Sequence, residues 1–285
     1  MNRFINFLLG SLFFILNVQA DVLEIPRNYK QDEHKKFLAS KEQCVQDLVK
    51  LFDQKTKWQN VLLIASGWRS RAALESKDDY ANLFGNLRDC VITSDVFLAG
   101  GEYMLEKIDL VLKSADTIFD MDGIHFPGAP VKRYSIREKL EGEEFLLTQL
   151  IYFHGDYPVY GYIIPRLFRT PHLKYTWYHT GAQDATRILE LLENVYLEIL
   201  DESNQEQIVA KIARLHWWFS QSTPYNRGSA AIAEAIAQAL LRYKGLNWEK
   251  IPYLMIDVVV LCEPCLEEFI RLYPTFYREK KEIEC

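Results

Sequence analysis

Three apolar stripes in the C-terminal third of the chain constrain its fold more than any other feature. Ile188, Leu192, Val195 and Ile199 recur at three- and four-residue spacing. So do Ile208, Ile212, Leu215 and Phe219, and then Ile232, Ile236, Leu240 and Tyr243. A 3.6-residue repeat gathers each set on one helix face, and an apolar face must be buried against another element. Three such segments in succession from Asp184 predict three helices packed side by side.

Upstream, the pattern is more mixed. Ser40-Lys41-Glu42-Gln43 has the form of a capping box, and Val45, Leu48 and Phe52 follow it at helical spacing, which predicts a helix over 40–54. Val61–Ala65 fits a strand or a buried helix segment, and residues 70–89 and 95–114 fit helices, with Gly100-Gly101 as a break in the second. A second capping box, Ser135-Ile136-Arg137-Glu138, predicts a helix running towards Phe153 and stopping at Gly155. Residues 120–130 contain Gly123, Pro127, Gly128 and Pro130 and read as a loop. Tyr157–Thr180 is rich in aromatics and broken by prolines, as in a short β-hairpin or extended flap. The fold class that follows is mainly α, a helical bundle with a small β-hairpin flap, in a single domain over 21–285.

The first 20 residues read as a signal peptide. Arg3 precedes the apolar run Phe7–Leu16, and Val18-Gln19-Ala20 gives a cleavage site before Asp21. The run is about half the ~20 residues that a membrane-spanning helix needs. The expected address is secreted or periplasmic, with no transmembrane segment after cleavage. The whole chain carries a net charge of −6. Arg3 is the sole charged side chain in the signal, so residues 21–285 carry −7. An acidic surface without a basic patch argues against nucleic acid as a partner.

Export makes disulfides admissible, and Cys44, Cys90, Cys262 and Cys265 are the candidates, with Cys285 as the odd thiol. Cys262-Glu263-Pro264-Cys265 has the spacing of a redox motif, and the apolar run Leu254–Leu261 before it could pass for a strand. Too little chain follows Cys265 for the rest of a thioredoxin fold, so a local or structural role fits better. No metal site is expected: Asp120, Asp122 and His125 are too ordinary a cluster, and no zinc spacing is present.

The chemistry-bearing candidates lie between the second and third stripes. In Thr223-Pro224-Tyr225-Asn226-Arg227-Gly228-Ser229, Gly228 permits a sharp bend and close ligand approach, and Ser229 can cap the helix that follows. A helix N-terminus offers free N–H groups and a positive dipole end to a phosphate, and Arg227 can add a bidentate contact. His216 reads first as a core histidine and second as a base, and Glu234 first as an acid near a helix start and second as a catalytic group.

Residues 210–243 resemble the core of Fic (Fido-superfamily) proteins, whose motif runs His-Pro-Phe-x-Asp/Glu-Gly-Asn-Gly-Arg. Pro224 and Gly228 match, and Tyr225 replaces the Phe. Thr223 stands in place of the motif's catalytic His, Arg227 in place of its metal-binding acid, and Ser229-Ala230-Ala231 in place of Asn-Gly-Arg. The resemblance implies a Fic-like core over about 184–245, a flap near a nucleotide site, and a degenerate active site like that of AvrB-type bacterial effectors. On this reading the chain is an exported effector that binds a nucleotide or other phosphate-bearing ligand and transfers a group, if at all, by non-standard chemistry. Its partner is a host or envelope protein. The alternative is a secreted protein-interaction domain without enzymatic activity.

Overall fold

The computed structural model describes residues 31–90, 93–95, 115–118, 120–121, 124–125, 131–153, 175–251 and 254–279. The segment read as a signal peptide (1–20), residues 96–114, most of the expected flap (157–174) and Cys285 lie outside them. Two helices open the described chain, α1 (Gln31–Asp53) and α2 (Trp58–Glu75), followed by a 3-10 turn at Ala81–Leu83. Seven strands come next: β1 (Thr93–Asp95), β2 (Asp116–Ile118), β3 (Asp120–Met121), β4 (Ile124–His125), β5 (Val131–Leu140), β6 (Glu143–Phe153) and β7 (Tyr175–Tyr178). The C-terminal half holds α3 (Ala182–Asp201), α4 (Gln205–Ser222), α5 (Ser229–Tyr243), β8 (Trp248–Lys250), α6 (Ile256–Cys262), α7 (Leu266–Leu272), a 3-10 turn (Tyr273–Phe276) and β9 (Tyr277–Glu279).

The three stripes become α3, α4 and α5, and their apolar residues are buried together, with Tyr243 partly so. Helix α4 is the centre of the bundle. It packs against α3, α5, α6 and α7 and touches β6. From Leu215 to Ser222 every α4 residue is buried, which is how a helix enclosed on all sides looks. Trp217 and Trp218 lie edge to face within this core, and Trp218 meets Phe145 of β6. The sheet and the bundle therefore share one interior.

Mainly helical character is as expected, but the β part is larger than one hairpin. Strands pair in the order β1-β7-β6-β5-β2, all antiparallel. The helix expected from Ser135 towards Phe153 is the β5–β6 hairpin instead. Glu141 and Gly142 both have positive φ at the turn, the conformation a tight two-residue hairpin demands. Ile136, Leu140, Phe145 and Leu147 face the shared core. That tertiary burial outweighs a capping-box sequence worth about 1 kcal/mol.

Other boundaries also move. Ser40 lies inside α1 rather than at its start; its hydroxyl donates back to Phe37 O (2.9 Å) and accepts from Trp68 Nε1 (3.2 Å). The buried face already begins at Phe37, so the helix extends upstream. Val61–Ala65 belongs to α2. The helix expected over 70–89 ends at Glu75, where Lys77 takes a positive φ. The apolar run before Cys262 is the helix α6, not a strand. Among the described residues, no helix is long and apolar enough to cross a membrane.

Candidate functional site

The connection between α4 and α5 is built around two left-handed residues. Thr223 ends α4 with φ 44, and Gly228 begins α5 with φ 89. A β-carbon on Gly228 would sit 2.6 Å from Arg69 Cγ and 3.1 Å from Phe84 Cδ1, so the position requires glycine for both space and dihedral. Ser229 is the first residue of α5 rather than its cap, which is Gly228. The Ser229 hydroxyl closes the loop on itself: it accepts from Tyr225 N (3.0 Å) and donates to Tyr225 O (3.3 Å).

The loop lies along the segment 84–88. Asn226 N donates to Asn86 O (2.9 Å), Gly85 N to Arg227 O (3.2 Å) and Arg88 N to Pro224 O (3.1 Å). Isolated β-bridges join Phe84 to Arg227 and Leu87 to Tyr225. This pairing stacks cations and rings alternately beside the α5 N-terminus. Arg69 lies over Phe84 (3.9 Å from guanidinium carbon to ring centroid) and Phe37 (5.6 Å), and Arg227 over Tyr80 (4.6 Å) and Phe84 (5.7 Å). Phe84 thus contacts two guanidiniums, each attracted by the ring's π-system. Arg227 is exposed and makes no ion pair with a carboxylate among the described residues.

Beneath the loop lies a buried polar layer. The Arg88 guanidinium donates to Thr223 O (2.6 Å), Ser222 O (2.8 Å), Cys90 O (3.2 Å) and Thr180 O. His179, just past β7, places Nδ1 3.3 Å from both Thr148 Oγ1 and Thr223 Oγ1. Thr148 donates its hydroxyl proton to Gln221 O and Thr223 donates its own to Ser220 O, so both oxygens accept from the ring and Nδ1 carries the hydrogen. Burial, reinforced by the nearby Arg88 charge, lowers the His179 pKa to about 3, and the imidazole is neutral.

Thr223, Arg227, Gly228 and Ser229 therefore come together, whereas His216 and Glu234 belong to a second polar group. His216 is buried, with Nδ1 2.9 Å from Tyr273 OH, which in turn meets Tyr277 OH (2.9 Å). Burial lowers the His216 pKa to about 4. Glu234 is bound by Lys41 of α1 and by Lys250 of β8 (3.1 Å). Its carboxylate is committed to joining three elements and is not presented to the loop.

Cys44 is a buried thiol in the α1–α2 core and Cys90 an exposed one. Cys262 packs with Leu150 and Trp177 beneath the sheet. The exposed Cys265 thiol donates to Glu267 Oε2 (3.3 Å). Burial is the main reason the Cys44 pKa rises to about 12, far from that of a reactive thiolate.

Sequence reading missed Arg69, Tyr80, Phe84, Arg88 and His179. Tyr80, Phe84 and Arg88 lie in the stretch read as a helix over 70–89 and Arg69 in α2, and they meet the loop only through long-range contacts. A shallow concavity of about 550 Å³, lined by Glu141, Leu197, Glu198, Asp201, Glu202 and Lys211, lies elsewhere. Lys211 and Thr223 are 12 residues apart along α4, roughly 18 Å at helical rise.

A helical bundle with a shared antiparallel sheet and a cationic interhelical loop defines the class. A profile of the AvrB/AvrC avirulence protein family matches residues 49–280, and the chain belongs to that family. It is also similar to Avirulence protein B of Pseudomonas savastanoi pv. glycinea, 36% identical over 70 residues. That stretch covers 24% of this chain and 22% of the relative's length.

Proposed function

We propose that this chain is an exported bacterial effector with a Fic-like helical core, binding a nucleotide or another phosphate-bearing ligand at residues 223–229 and acting on a host protein. One observation carries the reading. The exposed Arg227 is stacked on Tyr80 and Phe84, and Arg69 also lies over the Phe84 ring, all beside the start of α5. Stacked guanidiniums have already lost much of their rotamer freedom, and the first N–H groups of a helix add a positive dipole end. The pre-oriented Arg227 cation at such an end suits a phosphate.

The same geometry favours binding over standard catalysis. Thr223 is no base, its hydroxyl proton is given to Ser220 O, and the imidazole beside it has a pKa of about 3. A base that weak takes a proton poorly at neutral pH. Any group transfer here proceeds without the motif histidine.

Calorimetry with ADP, ATP and nucleotide sugars tests the reading. Binding to the full chain is expected, and Arg227→Ala should weaken it about tenfold or more, in line with roughly 1.5–3 kcal/mol for a hydrogen bond to a charged group. Failure of all these ligands to bind, or an Arg227→Ala variant that binds as wild type, would sink it. The first result would favour a second reading, a protein-interaction domain without chemistry. Its support is the outward face of α2, where Leu63 is 67% and Leu74 61% exposed.

A further inference from the structure

Arg88 is a buried cation whose four acceptors are all backbone carbonyls. No carboxylate pairs with it among the described residues. Burial lowers its pKa to about 10, and it remains charged at neutral pH. Taking a cation out of water is costly, so such a group persists where it satisfies acceptors that nothing else reaches. The acceptors here are of that kind. Ser222 is the last residue of α4 and Thr223 its C-cap, and the left-handed turn at Thr223 leaves their carbonyls without partners from a continuing helix. These carbonyls are also the negative end of the α4 dipole, which favours a cation. Thr180 follows β7 and Cys90 follows the segment paired with the loop. A single side chain thus joins three parts of the chain that meet under residues 223–228.

We propose that Arg88 is the positioning residue of this loop. Its side chain clamps the end of α4 from below while its own N–H, bound to Pro224 O, begins the pairing of 84–88 with 224–227. Arg88 thereby sets the left-handed turn at Thr223 and the height at which Arg227 is presented, without touching a ligand itself. The task needs a guanidinium. Nε donates to Thr223 O, one terminal nitrogen to Cys90 O, and the other to Ser222 O and Thr180 O. A lysine offers three N–H bonds from a single atom and cannot span that set. The assignment takes 223–229 as the ligand loop, but the clamp can be tested without a ligand.

Amide hydrogen exchange on the full chain, in Arg88→Met and Arg88→Lys, provides that test. Exchange at Gly85, at position 88 and at Asn226 should rise about tenfold or more in Arg88→Met, since these amides form the loop pairing. The amides of Ile212 and Ile236, in the cores of α4 and α5, should keep wild-type protection. Arg88→Lys should fall between Arg88→Met and wild type. Unchanged exchange at the three loop amides overturns the proposal. So does an equal rise at every amide, which would make Arg88 a general stabiliser. Should Arg88→Met fail to fold, Arg88→Lys carries the same local comparison, with equal rises again counting against the clamp. ADP titrated into wild type is scored separately: its failure to bind removes the ligand reading, and the exchange pattern still decides the role of Arg88.

Discussion

Gly228 and Gly142 show how two glycines with similar backbones do different work. Both have positive φ, 89 and 84. Around Gly142 a new β-carbon meets nothing within 4 Å, whereas at Gly228 it meets Arg69 and Phe84 at 2.6 and 3.1 Å. Gly142→Ala should therefore cost only the backbone penalty of a left-handed alanine, about 1 kcal/mol. Gly228→Ala adds a steric clash, and overpacking costs about 1–3 kcal/mol more. Urea denaturation of both variants, with the denaturant slope unchanged, checks the order. Equal losses would mean that the cation–ring stack yields freely to the new methyl group. The comparison also reports on function, because the stack that would be displaced is the one that orients Arg227.

At the scale of elements, α4 bears most of the architecture, and its two ends are finished differently. The N-terminal end is capped locally: Asn204 Oδ1 accepts from Gln207 N (3.0 Å). The C-terminal end is finished by tertiary contacts, with Arg88 on its carbonyls and the hydroxyls of Thr148 and Thr180 donating to Gln221 O (3.0 and 2.9 Å). Asn204→Ala removes one exposed cap and should destabilise the fold by about 1 kcal/mol. It should leave the loop at 223–228 untouched, since the cap lies at the opposite end of the helix. A melting-temperature drop of a few degrees with unaltered exchange at Asn226 is the expected pair of results. Loss of the loop protection as well would mean that α4 transmits fraying along its length.

For the whole molecule, the buried histidines set the response to acid. Burial is the main cause lowering His179 to about 3 and His216 to about 4, against an ordinary 6.5. Arg88 adds to the first effect. At His216, Lys41 and Lys250 add to it and Glu234 opposes it. With folded pKa values below the unfolded one, the unfolded chain binds more protons between about pH 6.5 and 4, so stability falls as pH falls through that window. Each histidine contributes up to about 1.4 kcal/mol per pH unit there. The depressed carboxylate of Glu202, held near 2 chiefly by the Asn204 N–H, adds its loss only at lower pH. The partly buried Asp257, whose carboxyl is pushed up by desolvation, works in the opposite direction. Denaturation midpoints measured from pH 7.5 to 4.5 should decline already above pH 5.5, and His216→Gln should flatten the decline. A midpoint that stays level down to pH 5 would contradict the neutral, buried assignment of both rings.

The sequence alone determined the helical bundle, because a 3.6-residue apolar repeat is a local signal that each segment carries by itself. Ile188–Ile199, Ile208–Phe219 and Ile232–Tyr243 needed no partner to be legible. It also determined the loop between the last two, since Pro224 fixes its own φ and Gly228 admits a left-handed turn whatever surrounds them. Tertiary structure decided the rest. The Ser135–Glu138 segment has the letters of a helix start and the burial of a strand, and the shared core with Trp218 selected the strand. Arg88, His179, Arg69 and Phe84 belong to no motif, and their meeting at the loop depends on 84–88 lying along 224–227. His216 and Glu234 were separated from the loop for the same kind of reason. Tyr273 meets His216 at Nδ1, Lys41 and Lys250 hold Glu234, and buried polar groups go where their partners are.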